Sequence, residues 1–269
     1  MPEGDTAHRT ARRLHAALAG RVVTRFDLRV PSAATADLRG ETVHEVFARG
    51  KHLLHRIGEH TLHTHLRMEG EWHVHARGTP WRRPAYQARA VVGADDVETV
   101  GFELGIVELL LTRDEADAVG HLGPDPLSPD WDEAEAVRRL SRDARPAHVA
   151  LLDQRNLAGF GTEYVNELLF LRGVAPTTPM AEVDAAALVA LGVRTIRRNV
   201  DQVVRSFTGD SRRGRNLWVY GRDRRPCLRC GTPIRKGSMG PDPTRERRVY
   251  WCPSCQKTTQ SRQLPPSAG

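Results

Sequence analysis

The sequence predicts an α+β protein of several domains: an N-terminal helix with an antiparallel β-sandwich, a helical domain, and a C-terminal hairpin bearing four cysteines. Hydrophobic periodicity and cysteine position support this fold class. Apolar residues alternate at period two over residues 21–111 and recur at helical spacing over residues 131–208. All four cysteines lie in the last fifth of the 269-residue chain. A chain of this length can bury a sizeable core without disulfide staples.

The first helix is expected over residues 5–19, where apolar side chains recur near one face and Gly20 ends the pattern. Asp5 or Thr6 can cap its N-terminus. Short runs between residues 21 and 111, bounded by Gly, Pro or Asp, predict two antiparallel sheets. The apolar helix positions are Ala7, Ala11, Leu14 and Leu18.

A linker is predicted at residues 121–130, which contain three prolines and a glycine. Helical patterns follow as far as residue 208. The predicted domains are the β-sandwich at 2–125, the helical domain at 126–221 and the cysteine hairpin at 222–260, with a disordered tail at 261–269.

The charge distribution points to a polyanionic partner. The net charge is +7, yet residues 194–269 hold 18 Lys and Arg against 5 Asp and Glu, and the rest of the chain is net negative. A basic third on an acidic body is typical of nucleic-acid binders. A solvated basic tail is the alternative, although aromatic, glycine and cysteine residues interrupt this run.

A soluble, cytoplasmic protein without a membrane partner is expected from the composition. Hydrophobic residues make up 39% and charged residues 27% of the chain. No stretch approaches the roughly 18 apolar residues of a membrane span. The start of the chain, MPEGDTAHRT, also lacks the basic and apolar regions of a secretory signal.

Lysine is rare in this chain. There are 37 arginines and three lysines, and Lys51 is the only lysine in the first 235 residues. Because lysine can lose its proton and arginine effectively cannot, Lys51 is a candidate base or nucleophile. A phosphate contact would also explain a lysine there.

The cysteines form two C-x2-C pairs with 21 residues between them: Cys227, Cys230, Cys252 and Cys255. Two such pairs in a cytosolic chain favour one structural zinc ion over two disulfides or free thiols. Between them the sequence predicts a β-hairpin with a basic tip. Such a hairpin suits nucleic acid, although zinc ribbons also bind proteins.

The N-terminus offers a reactive amine. Pro2 follows Met1, and removal of Met1 would leave a secondary amine with a pKa near 8, which is partly neutral at physiological pH. A neutral amine can attack an aldehyde-like carbon to form a Schiff base, and Glu3 could move the proton. Many proteins begin with Met-Pro, so this feature alone is weak.

Three distant features together resemble the family of formamidopyrimidine-DNA glycosylase and endonuclease VIII. They are PEG at 2–4, GFGTEYVNELLF at 159–170, and the C-terminal four-cysteine hairpin. The resemblance covers roughly residues 2–260. It implies that the helical domain contains a helix–two-turn–helix element, and that the protein is a bifunctional DNA glycosylase and abasic-site lyase.

The resemblance also implies roles for individual residues. Pro2 matches the family's nucleophile, Glu3 its proton donor, and Lys51, in ARGKHLL, a lysine of a β-turn that assists the chemistry. The implied DNA contacts are Met68, which fills the gap left by the flipped nucleotide, Gly161 and Thr162 in the phosphate-binding loop, and Arg247 on the zinc hairpin.

Two departures from the family pattern concern activity. The family commonly has Pro-Glu where this chain has Asp5-Thr6, and an asparagine where it has Thr162. A catalytically weak binder of abasic or damaged DNA is therefore one alternative. An unrelated zinc-ribbon regulator is another.

Oxidised pyrimidines are the expected lesions. The opening PEG resembles the endonuclease VIII branch, and only about seven residues, TGDSRRG, lie where the purine branch has a long lid. The stretch GFELGIVELL lacks that branch's paired Arg and Phe. Oxidised purines remain the alternative substrate. The expected partner is damaged double-stranded DNA, or a bubble or single strand, bound by a monomer that is nucleoid-associated on DNA.

A histidine-rich stretch lies within the predicted sheets. Because it has no H-E-x-x-H pattern, these side chains are expected mostly at the surface or hydrogen-bonded in the core, with a metal site as the alternative. The stretch contains His52, His55, His60, His63, His65, His73 and His75.

Overall fold

A computed structural model describes residues 2–212 and 214–257. One compact unit ends at His121 and the second begins at Leu122. The domain boundaries expected from the sequence stay predictions. The tail expected at 261–269 lies outside the described residues.

Helix α1, Gly4–Leu18, confirms the helix predicted at the N-terminus. Its apolar face is buried, with Leu14 and Leu18 fully inaccessible to solvent. The helix packs against two strands of the first unit, Val43–Arg49 (β2) and His52–Ile57 (β3). The apolar spacing read from the sequence therefore marks the face that the helix buries.

Two four-stranded antiparallel sheets complete the first unit, as the alternating pattern predicted. Their strand orders are β1-β6-β7-β5 and β2-β3-β4-β8. Side chains from both sheets and from α1 share one core around Trp72, Leu53 and Leu62. The strands are β1 Arg25–Leu28, β2 Val43–Arg49, β3 His52–Ile57, β4 His60–His65, β5 Glu71–Ala76, β6 Ala88–Ala94, β7 Val97–Phe102 and β8 Ile106–Leu111. A short helix, α2, spans Glu115–Val119.

The described part of the second unit contains four helices: α3 Glu133–Ser141, α4 Ala147–Leu152, α5 Thr162–Arg172 and α6 Ala185–Asn199. They share a core that includes Phe160, Tyr164 and Ile196. Asp132 and Asp184 cap α3 and α6 by accepting backbone N–H bonds.

The helical pattern extends too far along the sequence. It predicted helix as far as residue 208, whereas α6 ends at Asn199. The Asn199 side chain accepts a hydrogen bond from the backbone N–H of Ser206 and closes a turn. Val203 is 88% exposed, so this apolar side chain beyond the helix end does not pack into the core.

The second unit ends in a two-stranded antiparallel hairpin, β9 Arg235–Met239 and β10 Arg247–Trp251. This is the hairpin predicted between the cysteine pairs. Buried Tyr250 of β10 belongs to a small core that also contains Phe170 of α5. In the described part of the chain, no helix is long and apolar enough to cross a bilayer.

An Arg–carboxylate network stabilises the segment between α3 and the start of α5. Arg145 bonds Asp143 at 2.5 Å and Asp153 at 2.9 Å, and both carboxylates are nearly buried. Hydrogen bonds from Arg145 to Asp143 and from Arg155 to Asp153 lower the pKa of each carboxyl. These carboxylates therefore stabilise the fold above the ordinary pKa of aspartate, and their contribution is lost as the pH falls through the lowered values.

We expect Arg145→Met to lower the free energy of unfolding by about 1–3 kcal/mol at pH 7, because two nearly buried carboxylates lose a charged partner. The loss should shrink as the pH falls from about 4 through the lowered pKa values of the two carboxyls, because their stabilising contribution disappears over that range. Urea unfolding at pH 7 and at about pH 2.5 measures both effects. Arg138→Met breaks an exposed pair with Glu135 and should cost less than about 0.5 kcal/mol. Equal losses for the two variants would contradict the assignment.

Candidate active site

The predicted nucleophile and its neighbour lie at the start of α1. Pro2 is partly exposed, whereas Glu3 is fully buried and occupies the N-cap position. The Glu3 carbonyl accepts the N–H of Ala7 in the first turn. A buried carboxylate beside a partly exposed Pro2 is suited to moving a proton locally, because little water competes for it.

The first departure from the family pattern, Asp5-Thr6, lies in the first turn of α1. Asp5 is 1% exposed, and its carboxylate accepts the N–H of Thr6 at 2.7 Å. The Thr6 hydroxyl donates to the same oxygen at 3.3 Å. These two bonds hold Asp5 against its own backbone.

Lys51 lies in the turn between β2 and β3, next to Gly50, whose φ of 58° suits glycine. The Lys51 side chain is partly buried. Burial lowers the pKa of His52 to about 3 and of His65 to about 4, and the Lys51 ammonium contributes to both shifts. At neutral pH these imidazoles are uncharged and lie within electrostatic reach of Lys51.

Met68 projects from the turn that joins β4 to β5 and is 60% exposed. The preceding Arg67 has a φ of 52°, unusual for a residue with a side chain. Its backbone N–H donates to His65 Nδ1, and its side chain lies over Gly105, where a Cβ would meet it at 2.4 Å. The neighbouring turn thus holds Met68 outward.

In the second unit, the predicted phosphate-binding loop leads directly into α5. Gly159 has a φ of 91°, and Gly161 is the N-cap of the helix. The Gln154 side chain accepts the N–H of Gly159 and donates to the carbonyl of Phe160. Thr162 is the first residue of α5 and is 6% exposed. The loop is thus braced from behind, and the helix N-terminus provides backbone N–H groups for an anion.

Two side chains in the middle of α5 bind the rest of the unit to this helix. Asn166 accepts the N–H of Tyr250 at 2.5 Å and donates to the carbonyl of Thr162 at 2.6 Å. The fully buried Glu167 carboxylate accepts the backbone N–H groups of residues 218, 219 and 220 at 2.7–2.9 Å. Sequence reasoning missed both roles, although a polar Asn-Glu pair inside an otherwise apolar helix was a usable signal.

Arg247 begins β10 and is exposed to solvent. Its Cα pairs with that of Met239 across the hairpin. Because Asn166 accepts the Tyr250 N–H, α5 is hydrogen-bonded to the strand that carries Arg247. Gly161 and Thr162 lie at the N-terminus of the same helix.

The four cysteine sulfurs lie within 4.8 Å of one another. The Sγ–Sγ distance is 3.5 Å for Cys230–Cys252 and Cys230–Cys255, and 4.0 Å for Cys227–Cys255. A tetrahedral S4 site with zinc–sulfur bonds of about 2.3 Å needs sulfurs about 3.8 Å apart, so the cluster fits a zinc ion. Among residues 2–212 and 214–257, no histidine belongs to a comparable metal-binding group.

The structure thus places Pro2, Glu3, Lys51 and Met68 in the first unit. It places Gly161, Thr162, Arg247 and the cysteine cluster in the second. Within the second unit, α5 links the anion-binding loop to the hairpin.

Comparison with known proteins identifies the family. The model of the formamidopyrimidine-DNA glycosylase N-terminal domain matches residues 1–103, and that of the H2TH domain of the same enzyme matches residues 122–208. The chain therefore belongs to the formamidopyrimidine-DNA glycosylase and endonuclease VIII family, a class of DNA-repair glycosylases and abasic-site lyases.

Two relatives place the chain nearer to one side of this family. A probable endonuclease 8 2 from Streptomyces coelicolor is 53% identical over 95% of this chain and 94% of its own length. The DNA-(apurinic or apyrimidinic site) lyase Nei2 of Mycolicibacterium smegmatis is 46% identical over 95% of this chain and 99% of its own length. By contrast, a formamidopyrimidine-DNA glycosylase from Geobacillus kaustophilus is 31% identical over 85% of this chain and 86% of its own length.

Solved structures share the fold. A structure of MutM in complex with carbocyclic 8-oxo-G containing DNA has a TM-score of 0.78 and 23% identity, covering 96% of this chain and 100% of its own. A complex between the Lactococcus lactis Fpg and an abasic site containing DNA has a TM-score of 0.76 and 23% identity, covering 95% and 100%. At this identity the likeness confirms the fold alone.

We expect the stability of the second unit to depend on pH through Glu167. Burial raises its pKa to about 7, although three backbone N–H bonds oppose that rise. Because the folded state holds its proton up to a higher pH than the unfolded state, stability falls as the pH rises from about 4.5 to 7. The fall is on the order of 3 kcal/mol.

Glu167→Gln should remove this pH dependence and lower stability at pH 5 by about 1–3 kcal/mol, because an amide cannot accept three N–H bonds as well. Denaturant unfolding between pH 5 and pH 8 measures both effects. The exposed Glu133→Gln is the control. An unchanged pH slope in Glu167→Gln would show that this carboxyl does not titrate as assigned.

Proposed function

We propose that the protein removes oxidised pyrimidines from DNA through a Schiff base at Pro2 and then cuts the strand by β,δ-elimination. The observation that carries this proposal is the position of Pro2 at the head of α1 beside the fully buried Glu3. Lys51, in the same unit, assists. Similarity to proteins named endonuclease 8 and DNA-(apurinic or apyrimidinic site) lyase supports it.

The proposed chemistry begins when the neutral secondary amine of Pro2 attacks C1′ of the damaged nucleotide. Glu3 protonates the sugar ring oxygen as the ring opens, and the base leaves with a proton. The nitrogen and C1′ then share an iminium. Its positive charge acidifies the C2′ proton, so a base removes that proton and the C3′–O bond breaks. A second elimination breaks the C5′–O bond, and water hydrolyses the iminium to regenerate Pro2.

The proposed DNA contacts follow the chemistry of each surface. Backbone N–H groups around Gly161 and Thr162 hold a phosphate of the damaged strand, and exposed Arg247 on the hairpin adds a cation. Met68 enters the space that the flipped nucleotide leaves, which offsets part of the unstacking cost of a few kcal/mol. The partner is damaged duplex DNA bound by a monomer, and the protein works in the cytoplasm on nucleoid DNA.

The proposal of pyrimidine lesions is supported by the short turn between β7 and β8. Only Glu103–Gly105 separate β7 from β8, so no long loop is available there to enter the duplex. Relatives named endonuclease 8 also match more of this chain than the formamidopyrimidine-DNA glycosylase does.

One zinc ion is proposed to be held by Cys227, Cys230, Cys252 and Cys255. Four thiolates close the coordination shell, so the ion would stabilise the hairpin and take no part in the reaction. Burial raises the pKa of Cys252 and Cys255, and a bound cation would offset that cost of ionisation.

Substitutions at Pro2 and Glu3 should separate the two halves of the reaction. Glu3→Gln should slow excision of dihydrouracil by about 10²–10⁴-fold, the usual contribution of a positioned proton donor, while still forming a borohydride-trapped adduct on abasic DNA. Pro2→Gly should lower trapping and strand cleavage by about a hundredfold, because the family's nucleophile is a secondary amine. Single-turnover nicking and mass mapping of the adduct measure both.

The exposed Glu59→Gln is the matched control and should behave as the unmodified protein. Full lyase activity in Pro2→Gly would overturn the nucleophile assignment. If the unmodified protein binds abasic duplex but neither cuts it nor forms an adduct, the binder alternative replaces the enzyme.

Metal removal should weaken DNA binding before the first unit unfolds. A chelator is expected to release one zinc per chain and to weaken binding to abasic duplex by at least about tenfold, because the hairpin depends on the ion. Far-UV circular dichroism and binding titrations follow the two events. Unchanged affinity of the zinc-free protein would exclude a role for the hairpin in binding.

A further inference from the structure

A line of polar side chains crosses the β2-β3-β4-β8 sheet on one face. His52 pairs with His65 across β3 and β4, and His63 pairs with Glu108 across β4 and β8. Because residues two apart in a strand point to the same side, these four side chains share a face. His52, which follows Lys51 in sequence, therefore lies on the same face of the sheet as the Glu108 carboxylate, two strands away.

A continuous hydrogen-bonded chain joins three of them. Glu108 Oε2 lies 2.9 Å from His63 Nδ1, and His63 Nε2 lies 2.8 Å from His52 Nδ1. The two imidazole planes differ by 21°, and their centroids are 5.0 Å apart. The His63 side chain is 3% exposed, whereas Glu108 is 53% exposed. The chain thus begins at solvent, passes through a buried ring and ends beside Lys51.

The hydrogen bonds couple the tautomers of the two rings. A neutral imidazole carries one donor and one acceptor nitrogen. In the neutral His63 tautomer that donates Nδ1–H to the Glu108 carboxylate, Nε2 is the acceptor, and His52 Nδ1 is then the donor. His52 Nε2 is then left as an acceptor. Burial lowers the pKa of His52 to about 3, which keeps this ring neutral at pH 7.

Charged and titratable groups surround His52, the last member of the hydrogen-bonded chain. Arg49 of β2 pairs with His52, the rings of His65 and His121 lie against it edge-on, and the Lys51 ammonium acts on both His52 and His65. A protonated His52 would repel Lys51 at this point. A neutral His52 adds no further positive charge to this arginine- and lysine-bearing end of the hydrogen-bonded chain.

We propose that Glu108 and His63 are positioning residues for Lys51. They hold His52, its neighbour in sequence, in one orientation and one uncharged tautomer, and so fix the polar, uncharged surroundings within electrostatic reach of the Lys51 amine. This inference rests on the proposed role of Lys51. It assigns the buried His63, with Glu108 behind it, to the reaction although neither touches the substrate.

A double-mutant cycle with Lys51 distinguishes positioning from simple structural support. His63→Leu should slow single-turnover cleavage of abasic duplex about tenfold, since small displacements of a catalytic group are costly. In a Lys51→Ala background the same change should add less than about twofold, because nothing remains to be positioned. His63→Gln keeps a donor and an acceptor and should recover most of the rate.

The chain supplies a matched control and a milder second variant. His73→Leu removes a similar histidine–carboxylate pair, with Glu71 at 2.9 Å, from the other sheet and should leave the rate within about twofold. Glu108→Leu changes a half-exposed side chain, so it tests the hydrogen-bonded Glu108–His63–His52 chain even if His63→Leu does not fold. Its rate should fall in the same way, and only when Lys51 is present.

Nitrogen-15 spectra of the histidines give a readout that does not depend on activity. His52 should carry its proton on Nδ1 at pH 7, and Glu108→Leu or His63→Gln should change that population. Rate losses that multiply with Lys51→Ala, or a His52 proton found on Nε2, would overturn the inference. Full activity of Lys51→Ala would overturn it too, by removing its target. Failure of the proposed function is separate: the unmodified protein would then neither cut nor trap abasic DNA.

Discussion

The buried Glu167 carboxylate is the constraint on which the second unit depends. It gathers three consecutive backbone N–H groups that no strand or helix of the described chain satisfies. Leaving such groups unpaired inside a protein costs about 1–3 kcal/mol each. Asn166, one residue earlier, does the same for the hairpin at Tyr250. One turn of α5 thus determines where the chain runs before the hairpin and where β10 begins.

The first unit achieves precision by a different route. Its candidate residues lie at the ends of regular elements, with Pro2 and Glu3 before α1 and Lys51 and Met68 in turns. Tight backbone geometry at Gly50 and Arg67 sets the direction of these turns. The sheets beneath are packed closely around Trp72. The candidate residues of this unit therefore lie at the edges of a closely packed scaffold, where loops and helix ends can be held in place by the sheets.

Local sequence patterns predicted much of this architecture. Helix α1, the alternating strands and the cysteine hairpin each follow from spacing that a short window reveals. The end predicted for α6 was wrong because Val203 and Val204 continue the helical spacing of apolar residues, yet both side chains are exposed and do not pack into the core. The roles of Glu167 and of the His63–Glu108 pair were missed because their partners lie 51–53 and 45 residues away. The assignments of Pro2, Glu3 and Lys51 came from family resemblance and stay predictions.

The placement of Asn166 and Glu167 on adjacent positions of α5 has a consequence for local opening. Both side chains accept backbone N–H groups from segments 30 residues apart. The donors are the amides of Trp218, Val219, Tyr220 and Tyr250. They cannot exchange with solvent by fraying of the hairpin alone, since each is bonded to a side chain anchored in the helical core. Their slow hydrogen exchange would follow α5 as one cooperative unit.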